Sequence, residues 1–341
     1  MTTAVSADPP SPALRPRSGP RAAGAATLLL AAVLLLSLAL GAKSLTPSEV
    51  WRGLIDPAAP GYDVVHGMRL PRTLLGLLAG AALGVAGAVM RALTRNPLAD
   101  PGLLGINAGA SAAVVSASAL LGLHGFGGAV WFALAGAGLV SVLVYAVGGG
   151  RAATPTRLVL AGAAVNAALY SYVGAVELLD TDSLDAMRFW TVGSLASASL
   201  RTVAVLTPFV LAGLALAVLL ARPLGALALG EDAARALGSR LTATRAGAIA
   251  AITLLCGAAT AACGPIVFVG LLTPHLVAPF TGPDPRRLLP YCAAFGPALL
   301  LGADVLGRLL ARPGELQVGT VTAVTGGVLL LHLLRTRRGR A

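Results

Sequence analysis

The sequence predicts an all-α polytopic membrane protein with about ten transmembrane helices. Of its 341 residues, 56% are hydrophobic and 11% are charged, whereas a soluble domain has about 25% charged residues. The apolar residues form runs close to the ~20 residues that one helix needs to cross a bilayer. Helices are favoured over a β-barrel because these runs exceed the ~10-residue strands of a barrel and do not alternate between apolar and polar residues.

Ten apolar runs make up the membrane part of the chain. Glycine and proline interrupt the runs within 174–205 and 256–285, so the ends of the helices are least certain there. The predicted spans are 22–42, 70–92, 103–122, 127–148, 156–178, 201–221, 243–262, 265–281, 288–307 and 317–334.

The two ends of the chain are predicted to lie outside this transmembrane domain of residues 22–334. Residues 1–21 are polar and proline-rich and predict a disordered tail, while residues 335–341 form a basic tail. The tail and the first apolar run together also fit a signal peptide. The run is long for a signal peptide and many spans follow it, so a retained first helix is favoured.

The basic residues indicate how the chain is oriented. With ten spans, 17 arginines fall on the side of the termini and 8 basic residues fall on the other side. Positive charge is enriched on the cytoplasmic side of membrane proteins, so both termini are predicted to be cytoplasmic. The same distribution explains the net charge of +11 without any nucleic-acid binding.

A polar corner separates the second and third spans. It runs from Arg95 to Gly102 and reads RNPLADPG. Asn96 and Asp100 are predicted to cap the turn and the helix that follows, and Pro97 and Pro101 to stiffen it. We therefore expect a rigid corner with a structural or gating role.

A short polar segment lies between the sixth and seventh spans. Residues 228–240 open with acids, place Arg235 four residues after Glu231, and close with Gly238. This pattern predicts a short capped helix. It is too polar to span a membrane, so it either covers the bundle as a surface helix or acts as a lever that fits a partner's groove.

One carboxylate lies inside a predicted span. Asp304 follows an apolar stretch, and Arg308 lies one helical turn further on, where the two can pair. We favour a structural ion pair near the membrane edge. The alternative is a protonation site in an ion-coupled carrier, since intramembrane acids are commonly functional.

Three further residues are predicted to shape the eighth span. Pro265, after Gly264, fits the start of a helix, and Pro274 removes a helix hydrogen bond. His275 is expected to contact the freed carbonyl or a polar loop, a structural role.

Motifs of enzymes and metal sites are missing from the sequence. There is no G-x-x-x-x-G-K-[ST] loop for ATP, no HExxH and no GxSxG. The three cysteines match no metal or disulfide spacing, and no cofactor or metal site is predicted. A membrane enzyme or a scaffold has no positive feature in its favour.

Several motifs in order carry a family resemblance. The chain resembles the FecCD-type permeases of bacterial ABC importers, which carry ferric siderophores, haem and cobalamin, over roughly residues 45–334. It departs from the family's pattern at Arg91, where relatives usually have glutamine. The matching motifs begin at Arg69 (RLPR), Thr94 (TRNPLADPGLLG), Leu160 (LAG), Phe189 (FWTVGSL), Leu229 (LGE), Gly264 (GPIVFVGL), Pro274 (PH), Leu288 (LLP), Ala303 (AD) and Glu315 (ELQVGTVTA).

The resemblance implies the architecture of a type II ABC importer permease in the cell membrane. It implies a second permease subunit, identical or paralogous, with a pathway at the interface between the two. It also implies two ATP-binding subunits, which would hold ATP and Mg, and an extracytoplasmic substrate-binding protein. The substrate expected from the family is a ferric siderophore, with haem and cobalamin as alternatives.

The resemblance also carries residue roles. External arginines would dock the binding protein: Arg69 and Arg308, and by extension Arg72 and Arg312. Arg308 then has two competing partners, Asp304 and an acid of the binding protein. The short helix would engage the ATPase through Gly230, Glu231, Asp232, Ala233, Ala236, Leu237 and Gly238.

Overall fold

The computed structural model describes residues 20–41, 45–122, 126–150, 154–180, 187, 190–312 and 314–338. The tail up to residue 19, the residues after 338, and the basic residues Lys43, Arg151 and Arg188 lie outside this part of the chain. Within the described residues the fold contains thirteen helices and no strand, so the all-α prediction is confirmed. The helices are α1 (Pro20–Ala39), α2 (Pro47–Ile55), α3 (Tyr62–Thr94), α4 (Ile106–Leu121), α5 (Phe126–Val147), α6 (Pro155–Leu179), α7 (Leu200–Leu219), α8 (Ala221–Ala228), α9 (Glu231–Ala236), α10 (Leu241–Cys263), α11 (Val269–Thr281), α12 (Pro285–Leu310) and α13 (Val318–Arg338).

Ten of these helices match the ten predicted spans in order. By length and composition, six described helices can cross a membrane, and four shorter apolar helices accompany them. The polar segment after α8 forms α9, as predicted. Glu231 of α9 lies 3.9 Å from Arg95 at the end of α3, so α9 lies at the end of the bundle opposite the start of α3.

Helix α2 was not predicted, although its sequence contains a recognisable start signal. Thr46 accepts a hydrogen bond from the backbone of Glu49, and Glu49 accepts one from the backbone of Thr46. This reciprocal capping box, with Pro47 in the first turn, is a common way to begin a helix.

Helix α3 is the centre of the bundle. In its most apolar stretch 78% of the residues are buried, compared with 17% in α6. Glycines on α3 allow the neighbouring backbones to approach closely, as the small residues of this run predicted. A methyl group on Gly80 would overlap Pro297 of α12, and one on Gly87 would overlap the carbonyl of Gly270 in α11.

The outer helices leave apolar side chains uncovered. On α6 only Leu158, Ala161, Gly162 and Val173 are buried. Large apolar residues on α7 and α13 are likewise exposed. These faces contact either lipid or another protein when the chain is in a membrane.

Candidate functional site

The corner between α3 and α4 is built by its own side chains. Arg95 ends α3 in the left-handed conformation with a φ of 53°. Asn96 Oδ1 accepts a hydrogen bond from Leu98 N at 2.9 Å, and Asp100 Oδ1 accepts one from Gly102 N at 2.7 Å. The predicted capping by Asn96 and Asp100 is therefore confirmed. Pro97 lies within this turn and is partly buried.

The carboxyl of Asp100 is held inside the corner. Burial raises its pKa above the usual value, although the hydrogen bond from Gly102 opposes that shift. Asp100 opens a 3₁₀ turn that begins at Pro101, and α4 starts directly after it. The corner thus fixes the angle between α3 and α4.

Helix α9 is attached to this corner through one carboxylate. Glu231 Oε1 lies 2.5 Å from Arg245 Nη2 of α10 and 3.9 Å from Arg95 Nη2. The predicted pair with Arg235 is present at 3.5 Å. The two contacts outside α9 were not predicted, since Arg95 and Arg245 are distant from Glu231 in sequence.

Glycines bound α9 on both sides. Gly230 has a φ of 119° and Gly238 a φ of 77°, and side chains rarely adopt either value. Between them Ala234 is fully buried against the bundle, while Asp232 points into solvent. The helix is therefore a fixed protrusion with a sharp bend at each end. The remaining predicted residues of this segment are Ala233, which is partly buried, and Ala236 and Leu237, which are exposed.

Two grooves run beside α9. One has a volume of about 650 Å³ and the other about 530 Å³. Both are lined by Arg222, Leu237 and Arg286, and these three side chains are exposed. This end of the bundle therefore presents a basic surface with an apolar residue at its centre.

At the opposite end Asp304 is surrounded by arginines. The predicted pair is confirmed, because Arg308 Nη2 lies 2.9 Å from Asp304 Oδ2. Arg72 of α3 was not predicted to take part, yet its Nη2 and Nε donate to the same carboxylate at 2.8 and 3.1 Å. Arg72 also reaches Glu315 at 2.7 Å. Since Asp304 is 0% exposed, this cluster fastens α3 to α12.

Arg69 contributes to the end of α1. The last four carbonyls of a helix have no partner within it. Arg69 donates to two carbonyls at this end, Leu38 O at 2.6 Å and Ala39 O at 2.9 Å. A positive charge at a helix C-terminus also interacts favourably with the helix dipole.

Two arginines near the end of α12 complete this capping. Arg308 donates to Ser37 O at 3.1 Å and to Leu40 O at 2.6 Å. Arg312 donates to Gly41 O at 3.0 Å. The end of α1 is therefore capped by side chains from distant parts of the chain, together with the nearby backbone of Leu45, whose N–H donates to Ala39 O at 3.1 Å.

Two of the arginines predicted to dock the binding protein are buried in this chain. Arg69 is 6% exposed and Arg308 is 2% exposed, and both line the same cavity as Arg72. Arg308 pairs with Asp304 here, and docking of the binding protein by either arginine stays a prediction. Arg312 is exposed, and Arg72 is 12% exposed at the edge of a cavity of about 200 Å³.

The chain is not helical between α10 and α11. The prediction that Pro265 starts a helix is wrong, because α11 begins at Val269. Gly264 has a φ of 72° and Phe268 a φ of 69°, and a residue before proline also avoids the helical region. The segment 264–268 is therefore an unwound break between two apolar helices.

The Pro-His pair lies inside α11. Pro274 is fully buried, and its carbonyl accepts a hydrogen bond from Arg91 Nη1 at 3.2 Å. Arg91, the departure from the family pattern, thus has a defined contact. His275 is half-buried, and its predicted structural role stays a prediction. Among the described residues, no three His, Cys, Asp or Glu side chains are close enough to hold a metal ion.

The known proteins that this chain resembles are transport proteins. The sequence model of the FecCD transport family matches residues 29–336. The ferric enterobactin transport system permease protein FepD of Escherichia coli is 48% identical over 92% of this chain and 95% of its own. The hemin transport system permease protein HmuU of Yersinia pestis is 36% identical over 91% of this chain and 94% of its own.

A solved structure has the same fold. It is that of a metal-chelate type ABC transporter in an inward-facing conformation. The two structures superpose with a TM-score of 0.82 at 26% identity, covering 93% of this chain and 99% of that chain.

Proposed function

The chain belongs to the FecCD transport family, and from this premise we propose that it imports a ferric siderophore as the permease subunit of an ATP-driven importer. Haem and cobalamin are the alternative cargoes. The observation that carries the proposal is the match over residues 29–336, which includes all or part of each of the ten apolar helices. The names of the relatives, which include permeases for ferric enterobactin, ferric citrate and hemin, support an iron chelate as the substrate.

The proposed importer contains other chains. A second permease subunit would pack against the uncovered faces, and α6, the least buried of the long apolar helices, is the first candidate for that contact. Two ATP-binding subunits would hold ATP and Mg, since this sequence has no P-loop. A substrate-binding protein would deliver the chelate from outside the cell.

The proposed orientation places the α9 end in the cytoplasm. The excess of arginines on that side supports it, and the grooves beside α9 are lined by Arg222 and Arg286. The exposed side chain of Leu237 lies between these grooves and is suited to enter an ATPase surface.

The proposed mechanism is alternating access. ATP-driven closure of the ATPase subunits would push on α9, and Glu231 would transmit the push to α10 through Arg245 and to the α3–α4 corner through Arg95. Both α3 and α10 belong to the buried centre of the bundle. A displacement of α9 would therefore move the two most buried long helices of the bundle.

The geometry does not favour an ion-coupled carrier. Asp304 is fully buried and receives hydrogen bonds from Arg72 at 2.8 and 3.1 Å. Arg308 lies 2.9 Å from the same carboxylate, so Asp304 is engaged on both oxygens as a structural ion pair between helices.

Uptake of radiolabelled ferric chelates tests the proposal. A strain lacking the gene would be compared with the same strain carrying it, using ⁵⁵Fe-labelled enterobactin, ⁵⁵Fe-citrate and labelled haem and cobalamin. ATP-dependent uptake of one of these, abolished by a Walker-A substitution in the partner ATPase, is the expected result. Uptake that persists without the ATPase and stops when the proton gradient is collapsed would contradict it.

A further inference from the structure

The groove beside the first turn of α10 carries three arginines and no acid. Its volume is about 530 Å³, and its walls include Arg222 of α8, Arg240 just before α10 and Arg286 in the first turn of α12. All three side chains are exposed. None of the residues that line this groove is an aspartate or a glutamate. Three positive charges around one groove repel each other unless an anion lies among them.

These arginines have no partner of opposite charge within the chain. Among the described residues, none of the three guanidinium groups forms a hydrogen bond or an ion pair. Glu231 of the nearby α9 is engaged with Arg245. Asp284 accepts a hydrogen bond from the backbone N–H of Arg286 at 3.0 Å and lines the other groove. The three side chains are therefore available to an anion from outside the chain.

The start of α10 favours an anion at the same place. This helix has 23 residues, and its N-cap, Arg240, makes no side-chain capping hydrogen bond. The first turn of α12 is capped by Asp284. Backbone N–H groups and the helix dipole at a helix N-terminus attract phosphate groups. Ala243 and Thr244 of α10 line the groove, so this uncapped helix end forms part of its wall.

The groove adjoins an apolar surface of the bundle. Helix α7 ends at Leu219, and Val218 and Leu219 are 65% and 75% exposed. The next residue, Leu220, lines the groove and packs on α10, where a methyl group on Gly247 would lie 3.1 Å from Leu220 Cδ1. A molecule in the groove therefore has positive charge on one side and exposed apolar side chains on the other.

We propose that this groove binds the phosphate headgroup of an anionic phospholipid, whose acyl chains lie along Val218 and Leu219. Basic pockets between transmembrane helices bind such headgroups, and arginine donates paired hydrogen bonds to phosphate. The lipid would neutralise the charges that meet where α8, α10 and α12 begin. Because α9 connects α8 to α10, the bound lipid would also steady the base of α9, whatever cargo the importer carries.

The test uses the complete importer, purified in detergent and titrated with phosphatidylglycerol or with phosphatidylcholine of the same acyl chains. Native mass spectrometry counts the lipid molecules that remain bound. We expect phosphatidylglycerol to bind more tightly. The variant Arg222→Gln/Arg240→Gln should lower its affinity roughly thirtyfold, about fivefold for each arginine. Arg157→Gln/Arg335→Gln is the matched control, because it removes two other exposed arginines and should leave the affinity unchanged.

A second titration separates a lipid from other phosphates. Inorganic phosphate, added at the same concentration as the lipid, should not displace phosphatidylglycerol, because it has no acyl chains to contact α7. Leu219→Gln should weaken the binding of phosphatidylglycerol, since it places a polar group against the acyl chains. Leu178→Gln is the control, because Leu178 is an equally exposed leucine on α6.

Several results would overturn the lipid site. Equal binding of the two lipids by the wild type does so, and this comparison needs no variant to fold. Equal affinities of the two double variants for phosphatidylglycerol, or its displacement by inorganic phosphate, also do so. If Arg222→Gln/Arg240→Gln keeps the lipid and loses the ATPase subunits, the groove belongs to the ATPase contact and the lipid proposal is wrong. None of these measurements depends on uptake, so the proposed function is tested separately.

Discussion

Charged side chains hold helices of this protein together. Asp304 accepts a hydrogen bond from Arg72 and forms an ion pair with Arg308, and the spacing along the sequence predicted only the pair with Arg308. Arg308 lies four residues from Asp304, within reach on one helix. Arg72 is 232 residues away, so only the packing of α3 on α12 brings it there.

Removal of the Asp304 charge tests this structural role. In Asp304→Asn the guanidinium groups of Arg308, which is buried, and of Arg72 lose their carboxylate, and breaking a buried ion pair costs about 3–5 kcal/mol. We expect a lower midpoint of thermal unfolding in detergent and less protein in the membrane. The protein that does fold should keep ATP-dependent uptake.

Glu315→Gln is the matched control, because Glu315 pairs with the same Arg72 but is 35% exposed. An exposed pair contributes about 0–1 kcal/mol, so its unfolding midpoint should remain near that of the wild type. An Asp304→Asn protein with unchanged stability and no uptake would instead point to a protonation role.

At the scale of single elements, the sequence predicted that α9 forms. It did not predict which residues hold α9 against α10 and the α3–α4 corner. The sequence pattern that predicts a short capped helix consists of the acids at its start, Arg235 and the glycines at its ends. The pairing of Glu231 with Arg245 and Arg95 depends on how α10 and the corner are placed. A sequence pattern predicts pairs between residues a few positions apart, such as Glu231 and Arg235. The pairs of Glu231 with Arg245 and Arg95 form only when the complete chain has folded.

Glu231→Gln tests whether this attachment transmits force. With the pairs to Arg245 and Arg95 weakened, we expect uptake to fall about tenfold, within the range typical of coupling between sites. ATP hydrolysis by the assembled importer should continue. Both rates can be measured on the same proteoliposomes.

Asp232→Asn is the comparison that leaves the attachment intact, since Asp232 is exposed and pairs with Arg235 of the same helix; a loss of uptake in this variant would report contact with the ATPase and not transmission through Glu231. The exchange Glu231→Arg/Arg245→Glu should restore part of the uptake. If Glu231→Gln lowers uptake and ATP hydrolysis equally, the helix binds the ATPase without transmitting motion, and the mechanism proposed here is wrong.

The contact between α3 and α11 depends on the absence of a side chain. A methyl group at Gly87 would overlap the carbonyl of Gly270, so Gly87→Ala must push the two helices apart. We expect a loss of about 3 kcal/mol, the upper part of the range for overpacked cores, measured as the unfolding midpoint in detergent. Gly138→Ala in α5 meets no atom within 4 Å and should be neutral or slightly stabilising; equal stability of the two variants would contradict the close packing.

At the scale of the whole molecule, composition and run length predicted the fold class and the order of ten apolar helices. The ends of the helices were less predictable where an apolar stretch contains residues whose backbone angles are not helical. The break at 264–268 arises from positive φ angles at Gly264 and Phe268, and phenylalanine gives no local signal for such a conformation. The docking roles of Arg69 and Arg308 came from the family resemblance, and the burial of both residues could not be read from sequence.

Docking of the binding protein is a property of the assembled surface. Arg312 is exposed at the end opposite α9, so Arg312→Glu should weaken binding of the loaded binding protein about tenfold, mainly through slower association that depends on salt. Surface plasmon resonance on the importer in nanodiscs measures this. Arg157→Glu, exposed at the other end, is the control, and equal affinities for both variants would remove Arg312 from the docking surface.

The capping of α1 has a consequence for how the protein is made. Part of the cap on α1 comes from residues made much later, since the carbonyl of Leu40 receives its hydrogen bond from Arg308, 268 residues further along the chain. At a synthesis rate of about 5–20 residues per second, this wait lasts roughly 13–54 s. A chain that ends or stalls before Arg308 therefore lacks this part of the cap on α1.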